Sequence, residues 1–251
     1  MAKPGFKIAA YWGPRADPRE ALAFRFLELL NQLKLVDPLF ANWYRFTSET
    51  EVEPFDMNPV SLTKTTAQAI SYDDDGDPEW YHGYRYGAWN RDTFGPTHRG
   101  FKLGFHANNL LPKPYFSNHV VLETNYGIAP ADNVVTFRLF RVALLAIVEA
   151  WEPTWCIAYP VTIYDFWPRS ADIHLQLAWM SYVPPRFASL IAPPPSGVAE
   201  RTAQGGLLMS ATDETFRVDN PAHLAAARDI LNALAPFEAL PWPPDAEARK
   251  F

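Results

Sequence analysis

Residues that could do chemistry are few in this sequence and widely spaced. The densest set is Asp73-Asp74-Asp75-Gly76-Asp77, which invites a calcium reading. An EF-hand loop needs acids at positions one, three and five, Gly at six and Glu at twelve. Counting from Asp73 puts Pro78 at six and Tyr84 at twelve; counting from Ser71 puts Gly76 at six but His82 at twelve. Neither register supplies the closing carboxylate. The six histidines, His82, His98, His106, His119, His174 and His223, show no metal-ligand spacing such as His-x-x-x-His. Cys156 is the single cysteine, so no internal disulfide forms. It sits in an apolar stretch that reads as core. The run Pro244 to Lys250 imitates a metal-nuclease signature, but its acids and base are nearly contiguous, whereas such a site needs them on separate strand positions around a metal. There is no nucleophile elbow, Walker loop or dinucleotide fingerprint. The expectation is no catalytic residues, no cofactor and no metal.

What remains is a surface. Asp73, Asp74, Asp75, Asp77 and Glu79 stand beside Trp80 and Tyr81. Aromatics with a polar handle anchor interfaces, and flanking acids steer a basic partner. The bland alternative is a solvated acidic loop. The charge is concentrated: Glu49 to Glu79 holds nine acids against Lys64 and carries −8, while the whole chain carries −6. Such a balance disfavours nucleic acid and anionic membranes.

The elements that must hold this surface follow from periodicity. The 251 residues are 48% apolar and 15% aromatic, enough for a large core. The organising element is a long apolar helix from Asn133 to Trp151, expected to be capped by Asp132 and stopped at Pro153. Its polar stripe is only Arg138, Arg141 and Glu149, so other elements must cover it on several sides. Its longest uncharged run, Val142 to Val148, is too short to span a bilayer. With no secretory h-region near the start, a cytoplasmic location is expected.

Phe6 to Trp12 reads as a strand, followed by a helix with Asp17 as cap, Pro18 in the first turn and Leu22, Phe26, Leu29, Leu30 and Leu33 on one face. Ser61 to Ile70 reads as a short helix capped by Ser61, its four threonines and serines leaving a strand as the alternative, and Ser71 to Pro78 reads as a loop. Alternation then predicts strands at Tyr84 to Trp89, Phe101 to Phe105 and His119 to Thr124, forming an antiparallel meander. Later strands are expected at Trp155 to Tyr159, Leu175 to Val183 and Gly205 to Thr212. Asn220-Pro221 opens a last helix to Ala235, and Pro236 to Phe251 reads as an irregular tail. The fold class is α+β: one domain, a mainly antiparallel sheet on a central helix at about 133–151, flanked by N- and C-terminal helices. Trp12, Trp89, Phe137, Leu144, Trp151, Trp155 and Trp179 are the expected core.

Several motifs occur in a fixed order: Tyr11-Trp12-Gly13-Pro14-Arg15, Trp43-Tyr44, Gly87-Ala88-Trp89-Asn90, Glu149-Ala150-Trp151-Glu152-Pro153-Thr154-Trp155, Trp179-Met180-Ser181-Tyr182, and Gly205-Gly206 through Asn220-Pro221-Ala222-His223-Leu224. The series resembles the immunity protein 52 family of bacterial polymorphic toxin systems. Arg91 departs from it, standing where the family pattern has Gly. The resemblance implies an α+β cytoplasmic protein encoded beside a toxin, with no catalytic residues to carry over. The toxins implied are restriction-endonuclease-fold nucleases, often delivered by type VI secretion, and the partner is the cognate toxin. Two other readings stay open on the residues alone: a hydrolase with a site assembled from His82, His98 and the Asp cluster, and a non-catalytic oligomeric scaffold. Converging titratable groups in a pocket would favour the first.

Overall fold

The computed structural model describes residues 5–46, 51–90, 100–111, 117–124, 133–166, 175–242 and 244. The chain enters as β1 (Phe6–Trp12), buried at five of its seven positions. A strand that is apolar on both faces belongs in the middle of a covered sheet, and β1 lies there, antiparallel to β6 (Asn118–Thr124) on one side and β7 (Trp155–Pro160) on the other. The ten strands run in the order β3-β2-β4-β5-β6-β1-β7-β8-β10-β9, every neighbouring pair antiparallel. Here β2 is Tyr44–Phe46, β3 Val52–Pro54, β4 Tyr84–Trp89 and β5 Phe101–Ala107. The far end comprises β8 (Met180–Val183), β9 (Val198–Arg201) and β10 (Leu207–Ser210). The expected meander is β4-β5-β6.

Helices α1 (Arg19–Val36) and α3 (Phe137–Trp151) pack side by side over this sheet, with α2 (Pro59–Gln68) against α1. Leu22, Phe26, Leu29, Leu30 and Leu33 are all buried, as the period requires. α3 buries Leu139, Phe140, Ala143, Leu144, Ile147 and Trp151. The mixed α+β architecture is as the patterning implies. Beyond α3 come the short α4 (Pro185–Ala188), then α5 (Pro221–Ala233), which packs on β10, and α6 (Ala235–Glu238).

Several boundaries differ from expectation. α3 begins at Phe137, not Asn133, and its cap is Thr136, whose Oγ1 accepts from the Leu139 N–H at 3.2 Å. Val134 and Val135 are buried in the preceding turn. Asp132 lies outside the described residues. Asp17 does not cap α1. Pro18 takes the N-cap position, and the Asp17 carboxylate accepts from Arg15 Nε at 2.6 Å. α2 starts at Pro59, capped by Asn58 and not Ser61. β8 and β10 are shorter than the apolar runs that contain them. The tail is not wholly irregular: α6 buries Phe237, and Trp242 packs edge-on against it.

Trp12, Leu144, Trp151, Trp155 and Trp179 are buried, while Phe137 and Trp89 are half-buried. Trp89 lies on the opposite face of β4 from Tyr86, which contacts Phe26 of α1. Period-two alternation sends residue 89 outward when 86 faces in. There Lys102 stacks on the Trp89 ring at 5.3 Å, and Glu123 holds Lys7 at 2.8 Å beside it.

Candidate functional site

The acidic-aromatic segment forms a pinned hairpin at the outer edge of β4. Ile70 bridges to Tyr84 and Tyr72 to Pro78, and the Glu79 N–H donates to the Ser71 carbonyl at 2.9 Å. At its tip the Asp73 side chain turns the backbone, with Oδ1 accepting from the N–H groups of Asp75 (3.0 Å) and Asp77 (2.8 Å). This is the Asx-type turn that favours Asp at the first position. Gly76 supplies the positive φ the turn needs, +85°. Asp73, Asp74, Asp75 and Asp77 are exposed, and Glu79 is half-buried.

A single turn of 3-10 helix, Trp80–His82, then joins the hairpin to β4. It is seated on the end of β5. His106 Nε2 lies 2.6 Å from the His82 carbonyl, and the Leu110 N–H donates to the Tyr81 carbonyl at 2.9 Å. Gly83 has φ +76°, and a Cβ there would stand 2.1 Å from the Ala107 carbonyl oxygen. The backbone is therefore fixed while the side chains are not covered: Trp80 is 61% exposed and Tyr81 49%. The Tyr81 hydroxyl donates to Glu79 Oε1 at 3.0 Å, which raises its pKa by favouring the protonated phenol. The structure thus keeps Asp73, Asp74, Asp75, Asp77, Glu79, Trp80 and Tyr81 together on one projection. It adds two residues that sequence reasoning missed. Tyr72, 56% exposed, crosses from Pro78. Leu110 comes from a distant stretch, and no local pattern could have placed it beside Tyr81.

The rest of the acidic segment lies elsewhere. Glu51, Glu53 and Asp56 sit before, on and after the edge strand β3, where Glu53 pairs with Arg45 of β2. α2 separates them from the hairpin. Against α1, Asn31 and Lys34, the loop Phe40 to Trp43 and the β3 exit residues Phe55 and Met57 line a cleft of about 340 Å³. No histidine or carboxylate lines it, so the titratable groups a hydrolase needs do not converge there.

The chemically capable side chains are occupied structurally. Burial pushes the Cys156 thiol pKa up, away from the reactive thiolate. His106 and His119 face each other across β5 and β6, rings 5.7 Å apart. Burial, then the neighbouring His106, lowers His119 to about 4; burial likewise lowers His106. His223 Nδ1 accepts from the Arg217 N–H. His82 lies 3.6 Å from Glu79, and His98 and His174 are outside the described residues. Among the described residues, no three of His, Cys, Asp or Glu are placed to hold a metal ion.

Two of the ordered motifs, Tyr11 to Arg15 and Glu149 to Trp155, meet at a junction where β1 ends and α3 exits. Trp12 stacks on Trp151 at 5.3 Å, and Tyr11 on Trp155 at 5.6 Å. Arg15 lies over the Trp12 ring at 4.9 Å and donates through Nη1 to the Trp151 carbonyl at 2.9 Å; Arg25 donates to the Ala150 carbonyl at 2.8 Å. Cations on the last carbonyls of a helix satisfy orphan acceptors and oppose its dipole. Glu152 takes a left-handed φ of 48°, turning the chain so that the Thr154 N–H reaches the Tyr11 carbonyl. Asn90 joins the fold similarly, donating to the Leu39 carbonyl at 3.1 Å and accepting from the Phe101 N–H. These marks are therefore joints of the scaffold, set apart from the exposed hairpin. Arg91 lies outside the described residues.

Among solved structures, Pseudomonas aeruginosa T6SS protein PA0821 aligns over 93% of this chain and 77% of its own, at 12% identity and a TM-score of 0.48. A comparison with curated protein sequences gives no match. The family model for immunity protein 52 matches residues 5–237, from the start of β1 into α6. The chain belongs to the immunity protein 52 family.

Proposed function

We propose that this protein neutralises a cognate bacterial toxin by stoichiometric binding, and that the hairpin Asp73 to Tyr81 is a contact surface for it. The observation that carries this reading is the contrast within the hairpin. Its backbone is tied to β4 and β5, yet it presents four aspartates and two large aromatics to solvent. A preorganised projection loses little conformational entropy on docking. Exposed Trp and Tyr within a charged rim have the composition of an interface anchor.

The toxin class is a nuclease of restriction-endonuclease fold, delivered by type VI secretion. Family membership supports an immunity role, and the charge supports the class. A nuclease must present cations to phosphates, and a concentrated acidic projection complements such a surface. Binding covers the active site or an assembly surface of the toxin. The test is coexpression with the toxin gene in the adjoining reading frame. Protected cells and a one-to-one complex on purification are expected. Cell death with no copurifying complex would overturn the reading.

A further inference from the structure

The sheet ends on two edges that differ in their backbone groups. In an antiparallel pair, residues alternate between those that exchange hydrogen bonds with the neighbouring strand and those whose N–H and C=O point away from it. At β3 the Phe55 N–H donates to the Trp43 carbonyl, so Glu53 bonds to β2 and the outward positions are Val52 and Pro54. Pro54 has no N–H to offer, which guards that edge against pairing. At β9 the Thr202 N–H donates to the Gly206 carbonyl at 2.8 Å, so Val198 and Glu200 bond to β10 and the outward positions are Ala199 and Arg201. β10 agrees: the Ala211 N–H donates to the Trp179 carbonyl, so its odd-numbered residues serve β8 and its even-numbered residues serve β9. β9 contains no proline, and among the described residues nothing bonds to the outward main-chain groups of Ala199 and Arg201. Its charges do not guard it either. Glu200 is forked onto Arg141 of α3 at 2.6 and 2.9 Å, and Arg201 turns back to the Gly205 and Ala188 carbonyls at 3.2 and 3.4 Å. Ala199 is exposed, and Val198 is 55% exposed.

We infer that the β9 edge pairs with the same edge of a second copy of this chain, antiparallel about a two-fold axis at Glu200. The spacing of the bare groups selects this occupant. Two outward residues separated by one are self-complementary under a two-fold. Ala199 meets Arg201 of the second copy, Arg201 meets Ala199 of the second copy, and each pair exchanges two hydrogen bonds. Val198 is then covered by Thr202 of the second copy. The two Glu200 carboxylates meet at the axis, each already neutralised by Arg141 of its own chain. So small a contact belongs with the reversible interfaces. β9 lies seven strand spacings from β4, roughly 34 Å along the sheet, so both hairpins stay free in the dimer. The pairing stands or falls independently of the toxin.

Analytical ultracentrifugation of the full chain alone, over a wide range of concentration, should show a reversible monomer–dimer equilibrium. Ala199→Pro removes an N–H that β10 does not use, so β9 keeps its place in the sheet. Ala199→Lys sets a like charge opposite Arg201 of the second copy from an exposed position, and it decides alone if the proline variant is misfolded. Each should weaken association about tenfold or more. Ala199→Glu sets an opposite charge there and should tighten it. In amide exchange followed by NMR, the N–H groups of Ala199 and Arg201 should gain protection as concentration rises, while that of Glu200, bonded to β10, is protected throughout. Monomer mass at every concentration overturns the inference. So does a dimer that the variants, folded by circular dichroism, form as tightly as wild type. Protection of Ala199 and Arg201 that appears only when toxin is added would place a strand of the toxin on this edge and likewise overturn it.

Discussion

Trp151→Ala separates scaffold from surface. Trp151 is fully buried, stacks on Trp12 at 5.3 Å and tilts against Phe105 at 5.0 Å. Truncation removes the whole indole from a site enclosed by α1, α3 and the sheet, where little can collapse inward. Buried Trp to Ala typically costs about 3–5 kcal/mol. The intact Arg15 bond to the residue 151 carbonyl should hold the backbone in place and keep the loss in that range. Total stabilities are about 5–15 kcal/mol, so the variant should remain folded when cold and melt lower, by an order of 10 °C for a chain this long. Urea unfolding followed by far-UV circular dichroism gives the free energy, and the m-value checks that the unfolding reaction is unchanged. Trp151→Phe keeps a stacking ring and should lose clearly less. At a temperature where the Ala variant is folded, it should bind toxin with wild-type affinity. A loss below about 1 kcal/mol would refute the packing argument. Normal stability with weakened binding would move the contact surface to the junction.

Other expectations follow from particular contacts. Asn58→Ala removes the side-chain acceptor at the start of α2 and should cost about 1 kcal/mol in urea unfolding, with Asn58→Asp restoring most of it. Gly83→Ala forces a Cβ into the Ala107 carbonyl at positive φ, so a loss of roughly 1–3 kcal/mol or more is expected, with raised hydrogen exchange at Trp80–His82; an unchanged exchange pattern would contradict the seating described for the hairpin. His119 is held neutral, its pKa lowered to about 4 from an ordinary 6.5. Well above pH 6.5 it is neutral folded and unfolded and contributes no pH dependence. As pH falls below 6.5 the unfolded chain takes the proton first, so stability drops, by at most about 2 kcal/mol at pH 5. Arg85, Lys7 and His106 around it act in the same direction. His119→Gln should flatten that part of the profile, and an equally steep decline in the variant would reject the assignment.

Much of the scaffold was legible because period and length settle it. The buried face of α1 is spelled by Leu22, Phe26, Leu29, Leu30 and Leu33, and the β4-β5-β6 meander by alternation about Gly87, Gly104 and Val121. α3 was legible as an element, but its start was not. Val134 and Val135 are as apolar as the helix they precede, and only the capping Thr136 hydroxyl distinguishes turn from helix. Asp17 was misread because Asx-Pro is a generic helix start, and the guanidinium of Arg15 competes for that carboxylate. β2, β3 and β9 are three or four residues long, too short for alternation to register. At the hairpin, the loop and its acids were visible as a string. Its rigidity was not, because that comes from His106, Ala107 and Leu110, more than twenty residues later. The −8 block also concealed its division into an edge strand and a projection, with α2 between them.

The association rate of this chain with its cognate toxin, measured across ionic strength, tests the central claim most directly. Asp74, Asp75 and Asp77 are exposed, whereas Asp73 Oδ1 holds the turn by accepting from the Asp75 and Asp77 N–H groups, so changing Asp74, Asp75 and Asp77 to Lys together with Asp73→Asn, which keeps that acceptor, should spare the fold. If the hairpin steers a basic toxin, association of the variant at low salt should slow by about tenfold or more, and its salt dependence should flatten or reverse. Wild-type rates, wild-type salt dependence and full protection in the folded variant would show that the toxin is met by another surface.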